Sequence, residues 1–263
     1  MVKDQNGRAH RPAVPGGGQF SESAHTPPEA NLPPADTMPA GLEAVLESAA
    51  RLQRLVPDAV LVGGTAAAYY ARHRTSTDHD HIVRDLNQRF EVVLDALERD
   101  GDFVLNRATP GRIILGELGG IEAGVRQLIR ARPLETTQVQ LRSGDMLTVP
   151  TIDELARIKA YLIVKRNQMR DYVDIAALSA TFGPDRIGAV LGDIDDYYRD
   201  DTHPEDRPVR SQLARQLASP QPRDASQIAR LSSYKGMTPR WQNWDEIVAA
   251  CRTVAAHIPT GGE

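Results

Sequence analysis

The sequence predicts an α/β (α+β) fold, in which a mixed sheet with flanking helices is followed by a helical C-terminal half. Short β-rich runs alternate with amphipathic helical segments up to Pro150, and beyond it the apolar residues recur with a helical period. With 263 residues, 41% of them hydrophobic, the chain can bury a substantial core. We therefore expect an α/β core with a preceding helix at residues 40–150 and a helical domain at 151–263.

The N-terminal segment and the overall composition limit the classes of protein to consider. Residues 1–39 are rich in Pro, Gly, Ser and His without apolar periodicity, which predicts a disordered tail. A net charge of −4 disfavours coating of nucleic acid by bulk charge but allows a local basic cleft. The single cysteine, Cys251, excludes an internal disulfide. No apolar run approaches the roughly 18 residues of a membrane span, and no signal peptide is recognisable. We expect a cytoplasmic protein without a membrane segment.

The α/β half divides into alternating elements. Apolar residues from Leu42 to Leu55 share one helical face, which predicts a first helix that ends before Pro57. A β-rich run at 59–62 predicts a strand, and Gly63-Gly64 predicts a turn into an Ala-rich helix. The following segments are predicted as one helix and several strands: a strand at 79–83, a helix at 86–97, and strands at 103–105, 112–115, 121–128 and 147–149.

The helical half opens with a capping box, in which the hydroxyl of Thr151 and the carboxylate of Glu154 satisfy free backbone amides. The pattern predicts one helix from there to Phe182, where Gly183-Pro184 is a standard stop signal. The remaining segments are a helix at 187–197, a polar connector at 200–224 and a last helix at 244–257.

Asp78 and Asp80 are the foremost candidates for chemistry. On a strand their side chains point to one side, because side chains alternate, while His79 and His81 point to the other. Paired carboxylates supply the hard oxygen ligands that Mg²⁺, or Mn²⁺ in its place, prefers. Glu122, in another predicted strand, is the candidate third metal ligand; a plain exposed strand residue is the alternative. A zinc site of mixed Asp and His ligands is a further alternative, which the strand alternation disfavours.

A glycine turn precedes the aspartates by a short interval: Gly63-Gly64-Thr65 is followed by twelve residues and then Asp78. Two glycines let backbone amides approach a triphosphate, and the start of the next helix adds its partial positive charge. Thr65 could add a hydroxyl hydrogen bond to the phosphates. The alternative is a plain tight turn. Ser76 is either a further nucleotide-binding residue or a turn residue.

Basic residues form two candidate groups. Lys159, Arg166 and Arg170 lie at about 0°, −20° and +20° around a helix, if that helix continues unbroken through Asn167. Asp174 lies one turn after Arg170 and is expected to pair with it. This row would bind phosphates, or it would be a solvated face with ordinary ion pairs. The second group shares parity along an extended segment and could form a basic rim for RNA: Arg126, Arg130 and Arg132.

Together these motifs resemble those of a known family. Gly63-Gly64-Thr65, the run Arg74-Thr75-Ser76-Thr77-Asp78-His79-Asp80, the segment Lys159 to Arg166, and Arg170-Asp171-Tyr172-Val173-Asp174 resemble the AbiEii/AbiGii nucleotidyltransferase toxins of bacterial abortive-infection and toxin-antitoxin systems. The resemblance implies the fold of the DNA polymerase beta-like nucleotidyltransferase superfamily, use of an NTP and Mg²⁺, and a separate antitoxin protein. Relatives grouped as MenT toxins imply the 3' end of tRNA as the acceptor.

The resemblance also assigns expected roles. The turn Gly63-Gly64-Thr65 corresponds to the nucleotide-gripping turn of the family, Asp78 and Asp80 to its metal ligands, and Lys159 to its helical lysine. We expect Arg166, Arg170 and Ser76 to help bind the nucleotide, and Asp174 to position a cation or assist the acceptor. His79 departs from the family pattern, which has an apolar residue there. Transfer to a small molecule or a protein, and an inactive NTP-binding module, are the alternative functions.

Overall fold

The computed structural model describes residues 38–39, 41–199, 208–234 and 236–259. Apart from Met38 and Pro39, the predicted tail at 1–39 lies outside the described residues. Within the described ranges the chain forms seven strands, eight α-helices and short 3₁₀ segments. In chain order the strands and α-helices are α1 Leu42–Leu55, β1 Val60–Val62, α2 Gly63–Ala71, β2 Asp78–Val83, α3 Leu86–Glu98, β3 Phe103–Thr109, β4 Ile113–Leu118, β5 Ile121–Gln127, β6 Thr136–Gln140, β7 Met146–Pro150, α4 Ile152–Arg166, α5 Met169–Phe182, α6 Pro184–Gly192, α7 Val209–Ala218 and α8 Trp244–His257.

The central sheet is mixed, as predicted. Its five strands lie in the order β1-β2-β5-β4-β3, and β2 pairs with β5 in parallel while the other neighbours are antiparallel. β4 and β5 are joined through Gly119 and Gly120, whose positive φ angles of 59° and 79° suit a tight glycine turn. Strands β6 and β7 form a separate antiparallel hairpin, of which the sequence had indicated only the second strand.

The two faces of β2 differ sharply. His79, His81 and Val83 are buried on one face, and the Nε2 atom of His79 lies 3.0 Å from the hydroxyl of Ser48 in α1. Burial lowers the pKa of His79 to about 4, so this ring is neutral at pH 7. Asp78 and Asp80 occupy the other face, which is accessible. The predicted alternation of carboxylates and imidazoles is therefore confirmed.

The prediction of one helix from Thr151 to Phe182 is wrong. The Thr151 hydroxyl accepts a hydrogen bond of 3.2 Å from the Glu154 amide, so the predicted start is confirmed. The helix ends at Arg166 because Asn167 adopts a left-handed conformation with φ of 51°. Tertiary contacts hold this conformation: the Asn167 side chain donates to the carbonyl of Gln221 and accepts from the hydroxyl of Tyr172. A new helix, α5, begins at Met169.

The helices of the second half pack onto the first. The larger hydrophobic cluster includes residues of α1, α2 and β7 together with residues of α4 to α8. The smaller cluster lies between α1, α3 and the buried face of the sheet. The larger cluster therefore brings α4 and α5 against α2, whose N-terminus carries the glycine turn. The division into domains at residue 150 stays a prediction.

Several bounds differ from those predicted. The last helix has the predicted limits, whereas the helix predicted at 187–197 occurs as α6 and a 3₁₀ turn, Ile194–Asp196. The predicted connector at 200–224 contains α7, and its residues 200–207 lie outside the described part. No described helix has the length and apolar character needed to span a membrane.

Candidate functional site

Three carboxylates lie on the open face of the sheet. Asp78 and Asp80 point to this face from β2, and the parallel register places Glu122 of β5 beside Asp78. Asp78 and Glu122 are exposed, and the side chain of Asp80 is 30% exposed. Ser76 lies next to them, and its hydroxyl is 3.3 Å from Oδ1 of Asp78. The pairing register thus places the three residues that the sequence proposed as metal ligands on one face of two neighbouring strands.

Two glycines leave room for the Asp80 carboxylate. A Cβ atom on Gly124, the register partner of Asp80, would lie only 2.5 Å from Oδ1 of that carboxylate. A Cβ atom on Gly63, in the turn, would lie 3.4 Å from Oδ2. A side chain at Gly124 would crowd the carboxylate, since contacts below 3.0 Å force a shift, whereas a Cβ atom at Gly63 would only touch it at van der Waals distance. Gly124 is a part of the site that sequence reasoning missed.

The glycine turn forms the first residues of α2. Gly63 has a positive φ of 74°, which a side chain would disfavour, and it begins the helix directly after β1. Gly64 passes close to Arg74, because a Cβ atom there would lie 2.5 Å from Nη2 of that arginine. The hydroxyl of Thr65 donates to the backbone carbonyl of Asp78. This hydrogen bond joins α2 to the start of β2, and the predicted role of Thr65 in nucleotide binding stays a prediction.

A buried cluster of charged residues lies close to the turn. Asp174 of α5 is fully buried, and its Oδ1 accepts hydrogen bonds from Nε2 of His73 at 2.8 Å and Nε of Arg74 at 3.0 Å. Its Oδ2 accepts from Nη2 of Arg74 at 3.3 Å and lies 2.7 Å from Nζ of Lys159. Lys159, in α4, is only 1% exposed. We call these four residues the Asp174 cluster: His73, Arg74, Lys159 and Asp174.

The Asp174 cluster has an excess of positive charge. Burial alone would favour the neutral acid, but the charges of Arg74 and Lys159 hold the pKa of Asp174 well below its usual range. Burial lowers the pKa of His73 in spite of Asp174, so its ring is neutral at pH 7. Two cations against one carboxylate leave one positive charge in excess. Arg74 carries part of it near Asp78, whose charge contributes to raising the pKa of Arg74.

The predicted row of Lys159, Arg166 and Arg170 is broken, because the left-handed Asn167 separates Arg170 in α5 from Lys159 and Arg166, which both lie in α4. Arg170 is exposed. Asp174, the carboxylate expected to pair with it, contacts His73, Arg74 and Lys159 instead. Arg166 makes two hydrogen bonds of 2.7 Å to Asp171. Burial lowers the pKa of Arg166, but Asp171, and more weakly Asp174 and Asp80, raise it above its ordinary value. Arg166 therefore lies within electrostatic reach of the carboxylate site.

The predicted basic rim is also corrected. Arg130 is 4% exposed in its side chain and forms an ion pair of 2.8 Å with the buried Glu154. Arg132 stacks on the ring of Tyr197, with its guanidinium carbon 4.0 Å from the ring centre. Arg126 alone of the three lies on the open face, where its Nε donates to Oδ1 of Asp80 at 3.2 Å. Equal parity along the chain did not place the three arginines together, because the strand ends at Gln127.

The donor set on the open face suits a hard divalent cation. Asp78 and Asp80 present carboxylate oxygens on one side of β2, and Arg126 already supplies a positive group to Asp80. The imidazoles of His79 and His81 lie on the buried face, which removes the mixed zinc site. Among the described residues, no three His, Cys, Asp or Glu side chains are clustered closely enough to hold a metal by themselves. A bound nucleotide would therefore have to supply further oxygen ligands.

Sequence reasoning missed the parts of the site that depend on distant packing. Arg74 belongs to a motif that the sequence singled out, but its contact with Asp174 was not expected, and His73 was not considered. The C-terminal segment also contributes, since the Thr238 amide donates to the His73 carbonyl at 2.9 Å. A Cβ atom on Gly236 would lie 2.0 Å from the Thr75 hydroxyl, so this segment packs closely on the loop before β2.

Comparison with solved structures finds chains of limited similarity. MenT4, a nucleotidyltransferase toxin from Mycobacterium tuberculosis H37Rv, is 20% identical with a TM-score of 0.49, and the match covers 82% of each chain. JHP933 from Helicobacter pylori is 14% identical with a TM-score of 0.47, and the match covers 86% of this chain and 92% of that one.

Comparison with curated proteins finds MmpL11 proteins of mycobacteria. The heme uptake protein MmpL11 of Mycobacterium tuberculosis H37Rv is 32% identical over 254 residues, which cover 86% of this chain and 23% of that protein. MmpL11 of Mycolicibacterium smegmatis, described as a mycolic acid-containing lipids exporter, is 30% identical over 229 residues, which cover 81% of this chain and 21% of that protein. The chain thus spans less than a quarter of the length of these relatives.

A family model covers most of the chain and includes every part of the site. The model described as "Nucleotidyl transferase AbiEii toxin, Type IV TA system" matches residues 45–250. Its span contains the glycine turn, the carboxylates of β2 and the whole Asp174 cluster. This chain belongs to the AbiEii family of nucleotidyltransferase toxins.

Proposed function

We propose that this chain transfers a nucleoside monophosphate from an NTP to the hydroxyl at the 3' end of tRNA. The observation that carries the proposal is the position of Asp78 and Asp80, which share the open face of β2 beside the Gly63-Gly64 turn. The acceptor oxygen forms a bond to the α-phosphorus while the bond to the bridging oxygen of the β-phosphate breaks. Pyrophosphate leaves, and the hydroxyl proton passes to a base or to solvent.

The metal would be Mg²⁺, or Mn²⁺ in its place, held by Asp78 and Asp80 together with oxygen atoms of the bound nucleotide, and Glu122 stays the predicted third protein ligand. When bound, such an ion neutralises phosphate charge and lowers the pKa of an attacking hydroxyl. The room that Gly124 leaves beside Asp80 supports this assignment, because a side chain there would displace Oδ1 of the carboxylate.

The remaining residues bind and orient the nucleotide. The backbone amides of Gly63 and Gly64, at the N-terminus of α2, face the triphosphate. The excess positive charge of the Asp174 cluster favours an anion near the turn, and Arg166 adds to this field. Ser76 and Arg170 stay predicted nucleotide contacts. Because Asp174 is fully buried, it acts by positioning Arg74 and Lys159 and does not touch the acceptor.

The acceptor and the biological role rest on the family. The motif resemblance to MenT toxins supports tRNA, and the toxin-antitoxin assignment of the family supports a separate antitoxin as the partner. Since tRNA and NTPs are abundant in the cytoplasm, we place the activity there. Expression of the chain without its antitoxin should arrest bacterial growth, and Asp80→Asn should abolish the arrest at equal protein level.

The transfer reaction is tested by incubating purified protein with each of the four α-³²P-labelled NTPs, Mg²⁺ and total bacterial RNA. The wild type should label a tRNA-sized band, and Asp80→Asn should reduce the label by at least about a hundredfold. Asp95→Asn, which removes an exposed carboxylate from α3, is the matched control and should behave as the wild type. Periodate oxidation of the tRNA 3' diol before the reaction should prevent labelling.

The other outcomes separate the alternatives. Label that survives periodate oxidation would refute the 3' end as the acceptor. Label in protein or in a small molecule, with none in RNA, would move the activity to another acceptor. Binding of NTP without any labelled product would identify an inactive binding module and refute the proposed reaction.

A further inference from the structure

Arg126 is the cation nearest to the carboxylate that the proposed function needs for metal binding. It lies on β5, two residues after Gly124, and its side chain reaches back along the open face of the sheet. Its Nε atom donates to Oδ1 of Asp80 at 3.2 Å. This is the same oxygen that a side chain at position 124 would crowd. The absence of a side chain at Gly124 therefore leaves the position beside Oδ1 to the guanidinium.

The ion pair between Arg126 and Asp80 is partly exposed to water. The side chain of Arg126 is 47% exposed and that of Asp80 is 30% exposed, so water screens the ion pair. Among the described residues, the hydrogen bond to Asp80 is the one that the Arg126 guanidinium makes. Arg166, by contrast, is held by two hydrogen bonds to Asp171. Arg126 can therefore swing away from the site without breaking other interactions.

We propose that Arg126 is an internal competitor of the divalent cation: its guanidinium pairs with Asp80 and must be displaced before a metal ion binds to that carboxylate. The inference rests on the proposed function, because it takes Asp80 to be a metal ligand. A carboxylate oxygen that is paired with a guanidinium is less available to a divalent ion. Arg126 thus lowers the affinity of the site for free metal and partly neutralises the Asp80 carboxylate.

The test measures binding of Mn²⁺ alone, without nucleotide, by the loss of the electron paramagnetic resonance signal of the free ion at 0.15 M salt. Arg126→Gln should bind Mn²⁺ about two- to fivefold more tightly than the wild type, the scale of one partly exposed ion pair. Arg126→Lys, which keeps the charge but loses Nε, should lie between the two.

Arg107→Gln is the matched control. Arg107 is exposed on the same sheet, where it pairs with Leu115 of β4, and Leu115 pairs with Gly124. Arg107 therefore lies three strands away from Asp80, whereas Gly124 lies on the neighbouring strand. At 0.15 M salt the screening length is about 8 Å, so removal of this charge should leave Mn²⁺ affinity almost unchanged.

The outcomes separate this inference from the proposed function. If Asp80→Asn weakens Mn²⁺ binding but Arg126→Gln leaves it unchanged, or changes it no more than Arg107→Gln, Arg126 does not compete and this inference alone fails. If Asp80→Asn does not weaken Mn²⁺ binding, Asp80 is not a metal ligand, and both the metal site of the proposed function and this inference fail.

Discussion

Asp174 and Arg74, 100 residues apart in the chain, form a two-point ion pair in which Nε of the arginine donates to Oδ1 and Nη2 to Oδ2. The same carboxylate holds His73 and Lys159, so one buried acid fixes three basic side chains next to the glycine turn. Two hydrogen bonds to one carboxylate fix the orientation of the Arg74 guanidinium. This guanidinium in turn leaves no space for a side chain at Gly64. The site is thus tied to the helical half through Asp174.

Asp174→Asn should destabilise the fold severely. The amide keeps the shape of the side chain but removes the one negative charge that balances Arg74 and Lys159 in a buried position. Breaking a buried ion pair typically costs about 3–5 kcal/mol, and we expect a loss of that size in the free energy of unfolding in urea. Asp95→Asn, on the surface, should change it by less than about 0.5 kcal/mol. Equal stability of the two variants would contradict the balancing role.

The stability that Asp174 contributes should depend on pH with a defined sign. Its pKa is well below the ordinary value in the folded state, so on acidification the unfolded chain takes up the proton first. The contribution is therefore complete above the unfolded pKa of about 3.9 and is lost as the pH falls below it. The difference in unfolding free energy between the wild type and Asp174→Asn should be constant from pH 7 to about 5 and shrink below about 4. A difference that is undiminished at pH 3 would contradict it.

Gly64→Ala should cost stability because of Arg74. The new Cβ atom would lie 2.5 Å from Nη2, and the ion pair with Asp174 prevents the arginine from moving away freely. Overpacking of this kind costs about 1–3 kcal/mol, measured by urea unfolding. In an Arg74→Ala background the same substitution should cost almost nothing, which a double-mutant cycle will show. Additive effects of the two substitutions would mean that the clash with Arg74 is not the cause.

Gly124→Ala should impair nucleotidyl transfer more than folding. Its Cβ atom would lie 2.5 Å from Oδ1 of Asp80, and that carboxylate can rotate away, so the fold survives while the proposed metal ligand is displaced. We expect at least about a tenfold loss of transfer with a change in unfolding free energy below about 1 kcal/mol.

Gly120→Ala is the control with the opposite pattern. Nothing lies within 4 Å of a Cβ atom there, but φ is +79°, so the backbone is strained. It should lose about 1–2 kcal/mol of stability and keep transfer activity. If Gly124→Ala keeps full activity, the room around Asp80 is not needed for the reaction.

The sequence by itself determined the class of fold and the place of the carboxylates. Period-two alternation required that Asp78 and Asp80 face away from His79 and His81, and the structure agrees. The limits of α1 also followed from local signals, namely apolar periodicity and the breaker Pro57 after the helix. Such features depend on residues within a few positions of each other, which the sequence displays directly.

Only the tertiary structure decided which basic residues meet which acids. The helix break at Asn167 separated Arg170 from Lys159 and Arg166, and contacts with Gln221 and Tyr172 hold that break in place. Glu122 lies beside Asp78 because β2 pairs with β5 in parallel. Asp174 contacts Arg74 because α5 packs on α2 through a shared hydrophobic cluster. Partners of this kind are chosen by strand order and helix packing across the whole chain, and no local spacing encodes them.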